Sequence, residues 1–450
     1  MKLDEFKNKT FAMAKDKGFD AVELYNQSAN QVQIKVFQGQ VDDFARADTG
    51  GYSFRGLFNG RMGYAFTEIL DGEAVSMVVE DAKANALIID ETEQSPIFGG
   101  SEKYPQYDGY SPELAAVSTE DQIDFTRELE AKALAADKRV KTVSNCAFVY
   151  GESKTGLVNS RRLELSQKGN GCYCWLSVVV VDQGETRSAF KFKSERDFAA
   201  LDANALAEEA VGEAIGQLGA NSVASGAYPV ILRNQAAASL LAAFAGIFSA
   251  ENVHKNFSLL KGKLGRQIAN SQITIIDDPL LPDGLYSTPF DAEGVAARRK
   301  AIVNDGTLET YLHNLKSAAR DKVESTGNAV KHSYKSEVSV APTNLFFQNG
   351  GAGFDQLVQT LDSGLIITEL QGTHAGTNPV SGDFSLAANG YLVNKGEIVS
   401  PVDQITVAGN FLEMFHNVEA VGNDLDFGLP GGSMIGSPSL LINGLAIAGK

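Results

Sequence analysis

GYSFRGLFNGRMGYAFTE, residues 51–68, reads as two short strands folded back on each other. Between them stands Asn59-Gly60, the pair that most readily enters the left-handed backbone of a two-residue type I′ turn. The same alternation extends outward. VELYNQ (22–27) and VQIKVFQ (32–38) are strands. Leu3, Phe6, Thr10 and Met13 recur at helical spacing over 2–17, and a second helix fills 71–88. Residues 94–112 are a Pro/Gly/Ser-rich loop. A helix over 119–136 then leads to four more strand stretches: VKTVSNCAFVY (140–150), LVNSRRLELSQ (157–167), CYCWLSVVVV (172–181) and TRSAFKFKS (186–194). Leu206, Val211, Ile215 and Leu218 give an amphipathic helix over 200–218.

The expected fold class is therefore α+β. Residues 1–226 form an N-terminal α/β domain with a mainly antiparallel sheet, and residues 227–450 a C-terminal β-rich domain. The second part holds an Ala-rich helix over 235–250 and hairpin turns at Asp305-Gly306 and Lys395-Gly396. A short helix, DQLVQTLDSG, has Asp355 as its N-cap and is closed by Gly364; the strand LIITEL (365–370) follows.

Composition narrows the function. A net charge of -17 with no Lys/Arg run argues against direct nucleic-acid binding. No apolar run reaches the ~20 residues of a membrane helix. The N-terminus, MKLDEFKNK, lacks a signal core, and Cys146, Cys172 and Cys174 are too few for a disulfide framework, so a reducing cytoplasm is expected. Cys172 and Cys174 share one face of a strand and read as core packing rather than a metal knuckle.

Candidate chemistry is thin. None of His254, His313, His332, His374 and His416 pairs with another at H-x-x-x-H or H-E-x-x-H spacing. The acids of 275–294 (Asp277, Asp278, Asp283, Asp291 and Glu293) suit a hard cation, but their spacing is not an EF-hand and Asp-Asp-Pro commonly builds a turn. GGAGFDQL (350–357) lacks the G-x-G-x-x-G spacing of a phosphate loop, and GGSMIGS (431–437) is no G-x-S-x-G elbow. GTHAGTNPVSGDFSLAANG (372–390) places His374, Ser381 and Asp383 among glycines. From residues alone, a ligand loop and a merely tight turn stand about even.

Three stretches carry a resemblance: 277–318 (DDPLLPDGLYSTPFDAEG onward), 367–410 (ITELQGTHAGTNPVSGDFSLAANG onward) and PGGSMIGSPSLLINGLAIAG (430–449). They resemble the TldD/PmbA family, also called modulators of DNA gyrase, and the likeness spans essentially the whole chain. The resemblance implies a heterodimeric zinc protease that degrades or matures unfolded peptides. One branch, of TldD type, carries H-E-x-x-x-H on a helix of the second domain and a later cysteine. The PmbA/TldE branch lacks both and serves as the partner. Here the corresponding helix is SLLAAFAGIFSA, and the ligand and base positions fall on Ala242, Ala243 and Ile247. Methyl and butyl side chains cannot hold zinc or take a proton from its water.

The resemblance thus implies a PmbA/TldE-type subunit with no metal or catalytic residue of its own, zinc being carried by a TldD-like partner. Its peptide cleft is expected to include Glu369, Gln371, Gly372, His374, Ser381, Gly382, Asp383 and Phe384. A peptide would pair there with an open strand edge along Leu365–Leu370. Two alternatives remain: an atypical metallopeptidase using Asp277, Asp278 and His374, and a stand-alone peptide-binding homodimer.

Overall fold

The computed structural model describes residues 1–89 and 97–450; the first residues of the loop expected over 94–112 lie outside them. The fold is α+β. Helix α1 (Leu3–Asp16) leads into β1 (Ala21–Phe37), β2 (Gln40–Phe58), β3 (Arg61–Thr67) and α2 (Gly72–Ile88). A single turn α3 (Pro112–Ala115) precedes α4 (Thr119–Ala136), then β4 (Val140–Asn159), β5 (Glu164–Asp182), β6 (Glu185–Glu195) and α5 (Ala203–Gly216). The six strands form one antiparallel sheet in the order β3-β2-β1-β4-β5-β6.

The strands are far longer than expected. The separate runs 22–27 and 32–38 are one strand of 17 residues, and β4 has 20. At ~3.3 Å per residue such strands outrun a single helix-covered core. Two helix pairs solve this on one face. At one end α1 and α2 cover Val22, Leu24 and Phe54; at the other α4 and α5 cover Ile34, Phe148, Cys172, Cys174 and Val178. Between them the strands turn polar, and Asp42–Gly50 of β2 are exposed. That polar interval broke the sequence pattern without breaking the strands. The three cysteines are free and buried, and burial pushes the Cys172 and Cys174 thiols up to about 12.

The opposite face meets the rest of the chain. Arg55 on β2 donates to Glu23 on β1 at 2.7 Å and to Glu293 at 2.8 Å, and all three are buried. Glu293 Oε2 also accepts the Leu315 N–H at 2.7 Å. Lys331 donates to Ser53 at 2.9 Å, and Arg196 to the Gly284 carbonyl at 2.6 Å.

Beyond Gly226 the architecture is β-rich. β7 (Gly226–Leu232) runs into α6 (Asn234–Phe244). One sheet contains β8 (Ile275–Asp277), β9 (Lys300–Asn304), β10 (Thr307–Leu308), β13 (Asn344–Phe347), β18 (Asp426–Phe427) and β19 (Met434–Ser437), in the order β10-β9-β8-β13-β19-β18. β11 (Ala329–Val330) and β12 (Ser339–Val340) pair separately. The third sheet uses β14 (Gly364–Gln371), β15 (Asp383–Asn394), β16 (Glu397–Asn410), β17 (Val418–Val421) and β20 (Leu440–Ala448), in the order β16-β15-β14-β7-β20-β17. A β16–β20 pairing closes five of these strands into a ring. Between the sheets, Phe244 stacks on Phe411 at 4.2 Å and Phe347 meets Phe415 edge-on at 5.3 Å.

Three local expectations are corrected. The helix expected over 235–250 stops at Phe244; Ala245–Phe248 is a tighter turn, and Ala250–His254 starts a new helix. Leu312 is the reason, since its N–H donates to Phe248 O and its carbonyl accepts the Ala250 N–H. Gly353, not Asp355, is the N-cap of Phe354–Leu361. The positive-φ residue closing that helix is Asp362, at φ 53°. Gly364 serves a different purpose, because a Cβ there would lie 2.3 Å from the Pro229 carbonyl of β7.

Candidate functional site

The two parts of the chain enclose a cavity of about 1330 Å³. Its wall on the N-terminal side is β6, every residue from Ser188 to Glu195, with Glu209, Glu213 and Gln217 of α5. β6 ends its sheet, so among the described residues its outer side has no partner strand. Residues of both its faces line the cavity, as an edge does and a covered face does not.

The floor is α6. It presents Gln235, Ser239, Ala242 and Ala243, followed by Gly246 of the tight turn. Small side chains leave the space open. The far wall is the end of β14, with Thr368, Glu369 and Leu370, and the rim is Asp426 and Phe427 of β18, the edge of its sheet. Gln235 Nε2 donates to Asp426 Oδ2 at 2.5 Å and to the Phe427 carbonyl at 3.2 Å, tying rim to floor.

The expected strand edge needs correction. Leu365–Ile367 pairs with β15 on one side and, in parallel, with Val230–Leu232 of β7 on the other, so it is interior. Pairing with β7 ends at Ile367, where β7 turns into α6. Only Thr368–Gln371 has a side free of strand partners among the described residues. A bulge between Ile367 and Glu369 shifts the register at that point.

The residues expected at the cleft separate into three groups. Glu369 and His374 line the cavity; Glu369 accepts from Asn389 Nδ2 at 3.0 Å. Gln371 and Gly372 are exposed beside it and are not among its lining. Ser381 lines a second hollow of about 590 Å³ with Lys263, Arg266 and His416. Gly382 is buried at φ 88°, and Phe384 is 4% exposed within the core. Asp383 accepts from Asn410 Nδ2 at 2.9 Å, and that bond, with one involving Ser381, holds its carboxyl below the usual range. The loop 372–390 therefore divides: its start reaches the cavity, and its middle fastens the chain to Asn410.

Of the positions matched to a zinc helix, Ala242 and Ala243 lie on the cavity floor, whereas Ile247 is 1% exposed in the core. The donors present do not fit a catalytic zinc. Such a site takes about three protein ligands, and among the described residues no three His, Cys, Asp or Glu are grouped to hold an ion. His374 is the histidine among the lining residues; His254 faces Asp321 at 2.7 Å.

The acids of 275–294 are bound up in structure. Asp277 takes Lys300 at 2.9 Å, Asn328 at 2.7 Å and the N–H groups of Thr343 and Asn344. Asp291 accepts the N–H groups of Glu293, Val295 and Ala329; burial first, and then Glu293, nonetheless push it up to about 7. Only Asp283 of this group lines the cavity. The sequence reading did not single out β6, Glu209, Glu213, Gln235 or Asp426, since only long-range pairing brings them together.

Fold and cavity define an α+β protein whose helix-backed antiparallel sheet and β-rich half surround a chamber. Residues 22–86, 112–218 and 225–449 match the first, central and C-terminal domains of the PmbA/TldA metallopeptidases. The chain belongs to this PmbA/TldD family. It is 28% identical to "Metalloprotease PmbA" of Escherichia coli O157:H7 across 100% of this chain and 96% of that one. A Thermotoga maritima protein described as a candidate modulator of a DNA gyrase shares 32% identity and superposes with a TM-score of 0.92, over 99% and 100% of the two chains. TldE of Thermococcus kodakarensis, 23% identical with a TM-score of 0.89 over 99% and 100% of the chains, has the same fold. No helix among the described residues is long and apolar enough to cross a membrane.

Proposed function

We propose that this chain is the non-catalytic subunit of a two-chain cytoplasmic zinc peptidase. It holds an unfolded peptide in extended form while a zinc-bearing relative of TldD type cuts it. The observation that carries this reading is the cavity: unpaired strand edges border a floor on which Ala242 and Ala243 stand at the positions matched to zinc chemistry. An extended peptide can add itself to such edges by main-chain hydrogen bonds, largely independent of its sequence. The residues in play are Thr368–Leu370 and His374 on one wall and Ser188–Glu195 on the other.

The atypical metallopeptidase reading draws less support. Asp277 is 0% exposed and fully bonded, Asp278 is ion-paired with Arg299 at 3.4 Å, and neither lines the cavity with His374. The test is to purify the chain alone, and together with an H-E-x-x-x-H-bearing relative from the same genome, and to follow cleavage of a disordered peptide. The pair is expected to form a complex and cut, and the chain alone to bind without cutting. Cleavage by the chain alone at the rate of the pair would overturn the proposal. A chain that binds peptide but never associates with the relative would leave the homodimer reading in its place.

A further inference from the structure

The charge of the cavity points to the kind of peptide it takes. Six carboxylates line it against two lysines. The lysines are already matched. Lys191 Nζ lies 3.1 Å from Glu209 and 2.9 Å from Glu213, and Lys193 lies 3.4 Å from Glu195. Burial alone would depress Lys191, but those two glutamates outweigh it and hold it above the usual lysine value.

The remaining three, Asp283, Glu369 and Asp426, have no Lys or Arg within ion-pairing distance among the described residues. Glu369 receives a side-chain amide from Asn389, and Asp426 one from Gln235 together with the Phe427 N–H; all of these donors are neutral. They stand on three separate elements: the loop after β8, the open end of β14, and edge strand β18. Negative charge therefore faces the space from several sides, and low-dielectric walls strengthen it. An independent feature fits the same occupant. Phe190, 47% exposed, and Phe192 line the cavity from β6. Aromatic faces accept the alkyl stems and cationic heads of Lys and Arg.

We propose that the cavity selects extended peptide segments bearing Lys or Arg side chains, with Asp283, Glu369 and Asp426 receiving the cations. This rests on the peptide-cleft reading above. Side chains of an extended segment alternate, so every second residue addresses the same wall. Peptides with basic residues at alternate positions meet the carboxylates without losing main-chain pairing.

The test is fluorescence anisotropy with three labelled disordered peptides of equal length, carrying Lys, Gln or Glu at alternate positions. The Lys peptide should bind about tenfold tighter than the Gln peptide, and the Glu peptide more weakly still. The advantage should shrink at about 0.5 M salt, where exposed charges are screened. Glu369→Gln with Asp426→Asn should cut the preference for the Lys peptide over the Gln peptide about three- to tenfold, whatever the shift in affinity common to both. A control pair outside the cavity, Glu120→Gln with Glu128→Gln, should not, which separates the cavity from the chain-wide charge of -17. Equal binding of the three peptides, or an equal loss in the control pair, would overturn the charge selection and leave the cleft reading standing. Binding of none would overturn the cleft reading, and this inference with it.

Discussion

Removing the Arg55 guanidinium should loosen a buried joint between the N-terminal sheet and the β-rich part of the chain. Arg55 is 5% exposed and lies between Glu23 at 2.7 Å and Glu293 at 2.8 Å. Arg55→Met keeps most of the side-chain volume and leaves two buried carboxylates without their cation. Breaking a buried pair from one side costs about 3–5 kcal/mol. That is a large fraction of the ~5–15 kcal/mol that holds a typical domain together. The assay is urea unfolding at two pH values. Burial already holds Glu23 above the usual carboxylate range, against the pull of Arg55, and losing Arg55 raises it further. A carboxyl with a raised folded value favours the folded state at low pH, and that contribution is lost as pH rises through the folded value. The deficit of Arg55→Met should therefore be smaller at pH 5 than at pH 7.5. A loss under about 1 kcal/mol at pH 7.5, or a deficit that grows toward low pH, would refute the reasoning.

Other expectations follow from the same geometry. Lys331 is buried, and burial, with Arg55 nearby, pushes it down to about 8 from 10.5. A lowered lysine contributes stability that is present above its unfolded value and lost as pH falls through the folded one, so Lys331→Met should help more at pH 7 than at pH 10, by up to about 3 kcal/mol; a flat difference between those pH values in chemical unfolding would contradict this. Gly390→Ala places a Cβ 1.8 Å from the Ile366 carbonyl, inside the β14–β15 pairing. It should cost about 3 kcal/mol or more by denaturation, because backbone on both strands must move. His374→Ala should weaken peptide binding about threefold or more, the worth of one polar contact, whereas Asp383→Ala, outside the cavity, should alter stability but not peptide affinity. Equal effects of the two on peptide binding would show that the loop acts as one surface.

Much of the fold was legible because two-residue turns leave a local trace. Asn59-Gly60, Asp305-Gly306 and Lys395-Gly396 all take positive φ at both residues, as read. Gln38-Gly39 and Gln183-Gly184 do the same, but glutamine seldom marks such a turn and both were missed. Strand length was illegible because Asn26–Gln31, largely polar, lies between the two helix-covered ends of the sheet, so one strand read as two. The break after Phe244 depends on Leu312, far along the chain, and carries no local signal beyond Gly246. Of the site, residues on the recognisable stretch 367–410 could be nominated, but which of them reach the cavity depends on where β7 leaves β14. The opposite wall, β6, reads as an ordinary alternating strand, and its edge position is a property of the whole sheet.

The central claim is that this chain shapes a peptide chamber and leaves zinc chemistry to a relative. Elemental analysis of the chain, purified alone without an affinity tag, tests it most directly. The account predicts near-zero zinc, with metal appearing only when the relative bearing H-E-x-x-x-H is co-purified. Close to one tightly held zinc per chain, retained on dialysis against a weak chelator, would contradict it.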